Sequence, residues 1–131
     1  GPLIDRFDIQ AMMARPTRAE LMSCEPAESS AAIRARVEGA REVQRERYDS
    51  SLILNSSCSK AELEENVRLT SEASSLLGAL IDALGLTGRG VDRIKRLART
   101  VADLEGCETI EEEHIGVASG HRYLEAEAVP A

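Results

Sequence analysis

Aromatic side chains are nearly absent from this chain: they make up 2% of its 131 residues, and tryptophan is missing altogether. A core must therefore come from Leu, Ile, Val and Ala, which favours helices packed closely on small side chains. No apolar run approaches the ~18 residues that span a bilayer, and no charged-then-apolar leader opens the chain. The expectation is a cytoplasmic protein with no membrane partner. Positive charge is in deficit, with 16 basic against 23 acidic residues and a formal charge of -7, so the surface as a whole repels phosphate backbones and argues against nucleic-acid binding by this piece alone. The cysteines Cys24, Cys58 and Cys107 are three in number and far apart; with no C-x-x-C pair they read as free thiols in a reducing compartment. Also missing are a G-x-x-x-x-G-K-[ST] phosphate loop, an apolar run ending in paired acids, and a G-x-S-x-G nucleophile turn, which excludes self-contained ATP hydrolysis.

What is present fits one folded unit. Gly1 to Gln10 alternates, with Leu3, Asp5, Phe7 and Ile9 against Ile4, Arg6 and Asp8, in the manner of a short strand. No second strand follows, so this segment is expected to be poorly ordered or paired with another copy. Ala11 to Glu28 carries Pro16 and Pro26 and reads as an extended linker, with Met12 and Met13 packing loosely. Ser29 and Ser30 then cap a long polar helix to about Tyr48, whose narrow apolar stripe is Ile33, Val37, Ala40 and Val43 and whose charges form surface pairs such as Arg34 with Glu38 and Glu42 with Arg45. A short helix covers about Lys60 to Asn66. Thr70 opens a clear amphipathic helix on Ala73, Leu76, Leu77, Leu80, Ile81 and Leu84, stopped by Gly85. The next runs from about Arg89 to Glu105 on Val91, Ile94, Ala98, Val101 and Ala102. A capping box of Thr109 and Glu112 starts the last, which runs to about Tyr123. The predicted class is all-α: a small bundle of four or five helices at 29–124, preceded by an extended N-terminal arm at 1–28 and followed by a frayed tail at 125–131.

Two constellations could carry chemistry. Cys107, His114 and His121 could approach a metal, since histidines seven apart share a helical face. No fourth ligand is evident, and ordinary surface histidines, with no metal, are the simpler reading. More informative are Arg89, Arg93 and Arg96, which at about 100° per residue fall within a sector of about 60°, nearly opposite the apolar face. On pattern alone they form a solvated face that does not serve the core. Arg89, near a helix N-terminus after a glycine-flanked turn, also offers a planar guanidinium and a positive helix end to an anion, and a nucleotide phosphate is the natural one.

The order of segments resembles the magnesium-chelatase-like AAA+ ATPases of the ComM/YifB family. GPLIDRFDIQ is similar to the stretch that ends their ATPase core, ESSAAIRARVEGAREVQRERY to their first long helix after it, TGRGVDRIKRLARTVADLEG to their sensor-2 helix, and Glu113, His114 and Ile115 to their closing E-x-H-I helix. Gly1 and Pro2 match that family's Gly-Pro and a protease scar alike. The resemblance implies that the chain is the C-terminal lid of a larger, hexameric ATPase that binds ATP and Mg2+, with its phosphate-gripping and Mg-coordinating motifs upstream. It implies that Arg89 is the sensor-2 arginine, a catalytic and nucleotide-binding residue, and that Arg6 is the arginine finger toward the neighbouring subunit's nucleotide. The family commonly has Ser and a small residue before the sensor arginine; here Thr87 and Gly88 stand there. The implied partners are the ATPase core of the same chain, neighbouring subunits of a homohexamer, and DNA through other parts of the parent, with DNA remodelling such as branch migration as the task. Two other functions compete: the lid of a true magnesium chelatase, and a stand-alone helical adaptor for protein interactions.

Overall fold

A computed structural model describes residues 6–121 of the chain, and these form an all-α bundle. A one-turn helix in the arm, α1 (Arg18–Met22), precedes α2 (Ser30–Tyr48), α3 (Lys60–Asn66), α4 (Ser71–Leu84), α5 (Gly88–Glu105) and α6 (Glu112–Gly120). Local chemistry fixes most of the starts. The hydroxyls of Ser29, Ser59, Thr70 and Thr87 accept from the amides of Ala32, Glu62, Ala73 and Gly90 at 3.2, 3.1, 3.1 and 3.1 Å, which satisfies donors that have no partner within the helix. At the other ends Gly85 and Gly106 take φ of 60° and 73°, where a side chain would be strained.

The core is small-sided, as the composition demands. Ala73 and Leu77 of α4 meet Ile94, Ala98 and Ala102 of α5, together with Ile110, Ile115 and Ala118. Helix α6 packs on both α4 and α5, and α5 also meets α2 and α3. Alanines on these faces let the axes approach closely enough for the few large side chains to interlock.

A polar joint ties α2 to α5. The Asp103 carboxylate is fully buried and receives Arg47 on both oxygens, Arg99 Nε at 3.1 Å and Asn55 Nδ2 at 2.8 Å. Hydrogen bonds to Asp103 hold Arg47 more firmly protonated than usual, whereas burial pushes Arg99 the other way. Arg99 also donates to the carbonyls of Cys107 and Glu108 at 2.5 and 2.6 Å, and so binds the turn after α5. Asn55 completes the joint: its backbone N–H donates to Gln44 Oε1 at 2.8 Å and its Oδ1 accepts from Tyr48 at 2.7 Å.

Several sequence expectations need correction. The linker is not wholly extended, because Thr17 and Glu20 form a capping box around α1. The stripe on α2 is largely unpacked: Ile33, Val37 and Val43 are exposed while Ala40 and Gln44 are buried, since among the described helices α2 packs mainly on α5 alone. Of the two ion pairs read from its spacing, Glu42 with Arg45 forms at 3.1 Å; Arg34 with Glu38 is not among the pairs of the described residues. Helix α6 starts later than Thr109, with Glu111 as its cap, because Ile110 is held in a parallel bridge with Leu69, its amide donating to Arg68 O at 2.7 Å and its carbonyl accepting from Thr70 at 3.0 Å. Residues 6–10 form no strand. They lie against this same chain, with the Gln10 amide donating to His121 O at 2.7 Å. The expected strand residues 1–5, the end of the last helix at Tyr123 and the tail at 125–131 lie outside the described residues.

Candidate functional site

The start of α5 is placed by Thr87, whose hydroxyl takes the Gly90 amide. The amides of Gly88 and Arg89 then stand at the open, positive end of an 18-residue helix. Beside this end lies a cleft of about 630 Å³ lined, among the described residues, by the cations Arg6, Lys60, Arg89, Arg93 and Arg96. Two carboxylates, Asp8 and Asp92, share it. The folded chain thus brings Arg6, from the arm, into one cleft with Arg89, from α5.

The five cations are not equivalent. Arg96 is tied into the structure: its Nη1 donates to Asn55 O at 2.7 Å, to Cys58 O at 2.9 Å and to Cys58 Sγ at 3.2 Å. The sequence reading of the three stripe arginines as a solvated face fails at this residue, because the loop before α3 folds back over α5 and presents its carbonyls there, and at Arg93, which the arm covers. Arg93 is mostly covered and lies 3.1 Å from Asp8. Lys60 reaches Asp92 at 3.4 Å. Arg6 and Arg89 are exposed, and among the described residues neither pairs with a carboxylate. The two side chains singled out from sequence are therefore, among the described residues, the cations of the cleft that no carboxylate or carbonyl engages. Asp8, Lys60 and Asp92 were missed as members of the site; Asp8 stands two residues after Arg6 in the motif that marked it, and nothing in the sequence pointed to Lys60.

Chemically the arrangement suits a polyanion. Guanidinium forks and a helix N-terminus both fit phosphate oxygens. It offers little to a divalent cation, since its carboxylates are each engaged by a neighbouring base. The other candidate cluster resolves differently. Cys107 and His114 come together with Glu105, without His121. His114 is not a surface residue: it is 1% exposed. Its Nδ1 accepts the Glu111 amide at 2.9 Å, so Nε2 carries the ring proton and donates to Glu105 at 2.7 Å. That tautomer leaves Nε2 no lone pair for a metal, and the ring serves to cap α6 and tie it to the end of α5.

Comparison with known proteins places this geometry in a lineage. Residues 27–122 match the family described as magnesium chelatase, subunit ChlI C-terminal. Over 95% of its length the chain is 32% identical to the competence protein ComM of Haemophilus influenzae and 32% identical to the YifB protein of Escherichia coli, covering 24% of each. Over 81% of its length it is 37% identical to a protein of Mycobacterium bovis, covering 21% of that protein. The chain thus spans about a quarter of the length of the curated relatives it matches. With the family match running from the residues before α2 through α6, this chain belongs to the magnesium-chelatase-like family of C-terminal domains that the ComM and YifB proteins carry.

Proposed function

We propose that the chain is the nucleotide-sensing lid of a hexameric AAA+ ATPase, in which Arg89 acts as the sensor-2 arginine and Arg6 as the arginine finger. The observation that carries this reading is the shared cleft: the two exposed arginines, which pair with no carboxylate among the described residues, line one basic hollow at a helix N-terminus. Because both belong to one chain, a single polyphosphate can meet both, and a cleft facing a neighbouring subunit would bring both to that subunit's nucleotide. Their charge would act on the terminal phosphate, where negative charge is redistributed during transfer. Mg2+ would be held by the parent's own upstream residues, in keeping with the engaged carboxylates here. For the parent we propose DNA remodelling such as branch migration, a task in line with a relative named as a competence protein. The magnesium chelatase alternative draws on the description of the matched family, and places the same lid behind metal insertion.

The test is ATP hydrolysis by the parent with its upstream core present, comparing wild type, Arg89→Ala and Arg6→Ala, with and without forked DNA. Loss of turnover in both variants with hexamers intact is expected, on the order of a hundredfold or more for each transition-state contact removed. Stimulation by forked DNA selects remodelling over chelation. Normal turnover in Arg89→Ala would return the arginine to a solvated face.

A further inference from the structure

Arg6 stands on a segment, residues 6–10, that belongs to no strand or α-helix, so an arginine that must meet a phosphate there needs something to seat it. The described residues supply two anchors. Asp8 lies 3.1 Å from Arg93 of α5, and Gln10, itself buried, donates its backbone N–H to His121 O at the end of α6. Asp8 is two residues from Arg6, a separation of at most ~7 Å, and Arg93 is four helical residues, a rise of ~6 Å, from Arg89, so an anchor at Asp8 keeps Arg6 within reach of the start of α5. Arg6, Asp8, Arg89 and Arg93 all line the same cleft.

We propose that Asp8 and Arg93 are positioning residues, whose ion pair seats the Arg6-bearing arm on α5 so that Arg6 and Arg89 meet one anion as a fixed pair. This rests on the phosphate-binding reading of the cleft. The pair suits positioning better than stability. Asp8 is half exposed, and such pairs contribute little to folding. Arg93 Nη1 also makes no hydrogen bond despite its distance from Asp8, so the contact is one of charge and not of a fixed fork geometry. A contact of that kind survives exchange of its two charges. Fixing the arm beforehand spares the ligand the cost of ordering it, which raises affinity without adding a contact.

The experiment uses isotope-labelled chain and tripolyphosphate as the probe, in wild type, Asp8→Asn, Asp8→Glu, the exchange Asp8→Arg with Arg93→Asp, and Arg89→Ala. Backbone relaxation without ligand reads the seating of residues 6–10; amide shifts during titration read affinity. Wild type is expected to show a rigid arm and shifts at 6–8 and 88–90 along one isotherm. Asp8→Asn should free the arm, remove the shifts at 6–8 and weaken binding about fivefold, while Asp8→Glu and the charge exchange restore arm order and part of the affinity. Arg89→Ala should weaken binding and leave the arm seated. If Asp8→Asn leaves arm order or affinity at the wild-type value, the positioning proposal is overturned. If wild type shows no shifts with tripolyphosphate while Asp8→Asn still frees the arm, the ion pair seats the arm and the phosphate reading is what fails.

Discussion

Asp103 has no exposed side-chain surface, yet its carboxylate joins three segments of the chain through Arg47, Arg99 and Asn55. A buried charge of this kind stabilises only while every partner remains. Asp103→Ala removes the acceptor and leaves two covered guanidinium groups opposed, so a loss of about 3–5 kcal/mol is expected in urea denaturation. Arg89→Ala, which removes an exposed and unengaged side chain, should stay within about 0.5 kcal/mol in the same experiment. A large loss there would mean that Arg89 supports the fold and is not a surface reader of anions. Tyr48 adds a pH dependence. Burial first, and contact with Cys58 after it, push its phenol well above the ordinary tyrosine range. The folded state therefore holds this proton more tightly than the unfolded chain, so the contribution is complete below the unfolded value of about 10 and is lost as pH rises toward the folded one. Tyr48→Phe should cost about 1 kcal/mol at neutral pH, through the lost bond to Asn55. It should also flatten the decline in stability measured above about pH 10.

At the scale of elements, glycines separate into those that a turn requires and those that a helix tolerates. Gly39 lies within α2, and a Cβ built there meets nothing within 4 Å; Gly39→Ala should raise the melting temperature through a gain of about 0.5–1 kcal/mol in helix propensity. Gly85→Ala meets as much open space but sits at φ of 60°, and the left-handed conformation should make it destabilising by about 1 kcal/mol. The same contrast explains what could be read in advance. Helices α4 and α5 were legible from Thr70 to Gly106 because cap, apolar period and glycine stop all act within one helix. The start of α6 was misplaced because the choice of Glu111 over Thr109 depends on Ile110 pairing with Leu69, far away in the chain. Arg89 and Arg6 were legible as candidates by motif, but their meeting in one cleft depends on how the arm lies on α5, which no local pattern encodes. Arg96 and His114 look like surface residues on a helical wheel and are partnered only because a loop and a helix end close over them.

For the molecule as a whole, the arm and the bundle divide the work. Every residue of the apolar core cluster lies between Ala73 and Ala118, and the polar joint lies between Gln44 and Glu108. The arm adds exposed apolar side chains, Met12, Met13, Leu21 and Met22 among them, and its contacts with the bundle include those of Asp8, Gln10 and Glu28. The family match likewise runs from residue 27. Removing residues 1–27 should therefore leave helical circular dichroism per bundle residue unchanged and alter unfolding free energy by no more than about 1 kcal/mol, since contacts such as the half-exposed Asp8–Arg93 pair contribute little to folding. Leu77→Ala in the full chain, by contrast, should cost about 2–5 kcal/mol, because the cavity opens among side chains too small to refill it. A shortened chain that unfolds as readily as Leu77→Ala would make the arm a structural part of the bundle. One that keeps its stability but loses tripolyphosphate binding would place the arm's contribution in the cleft, where it carries Arg6 to the open end of α5.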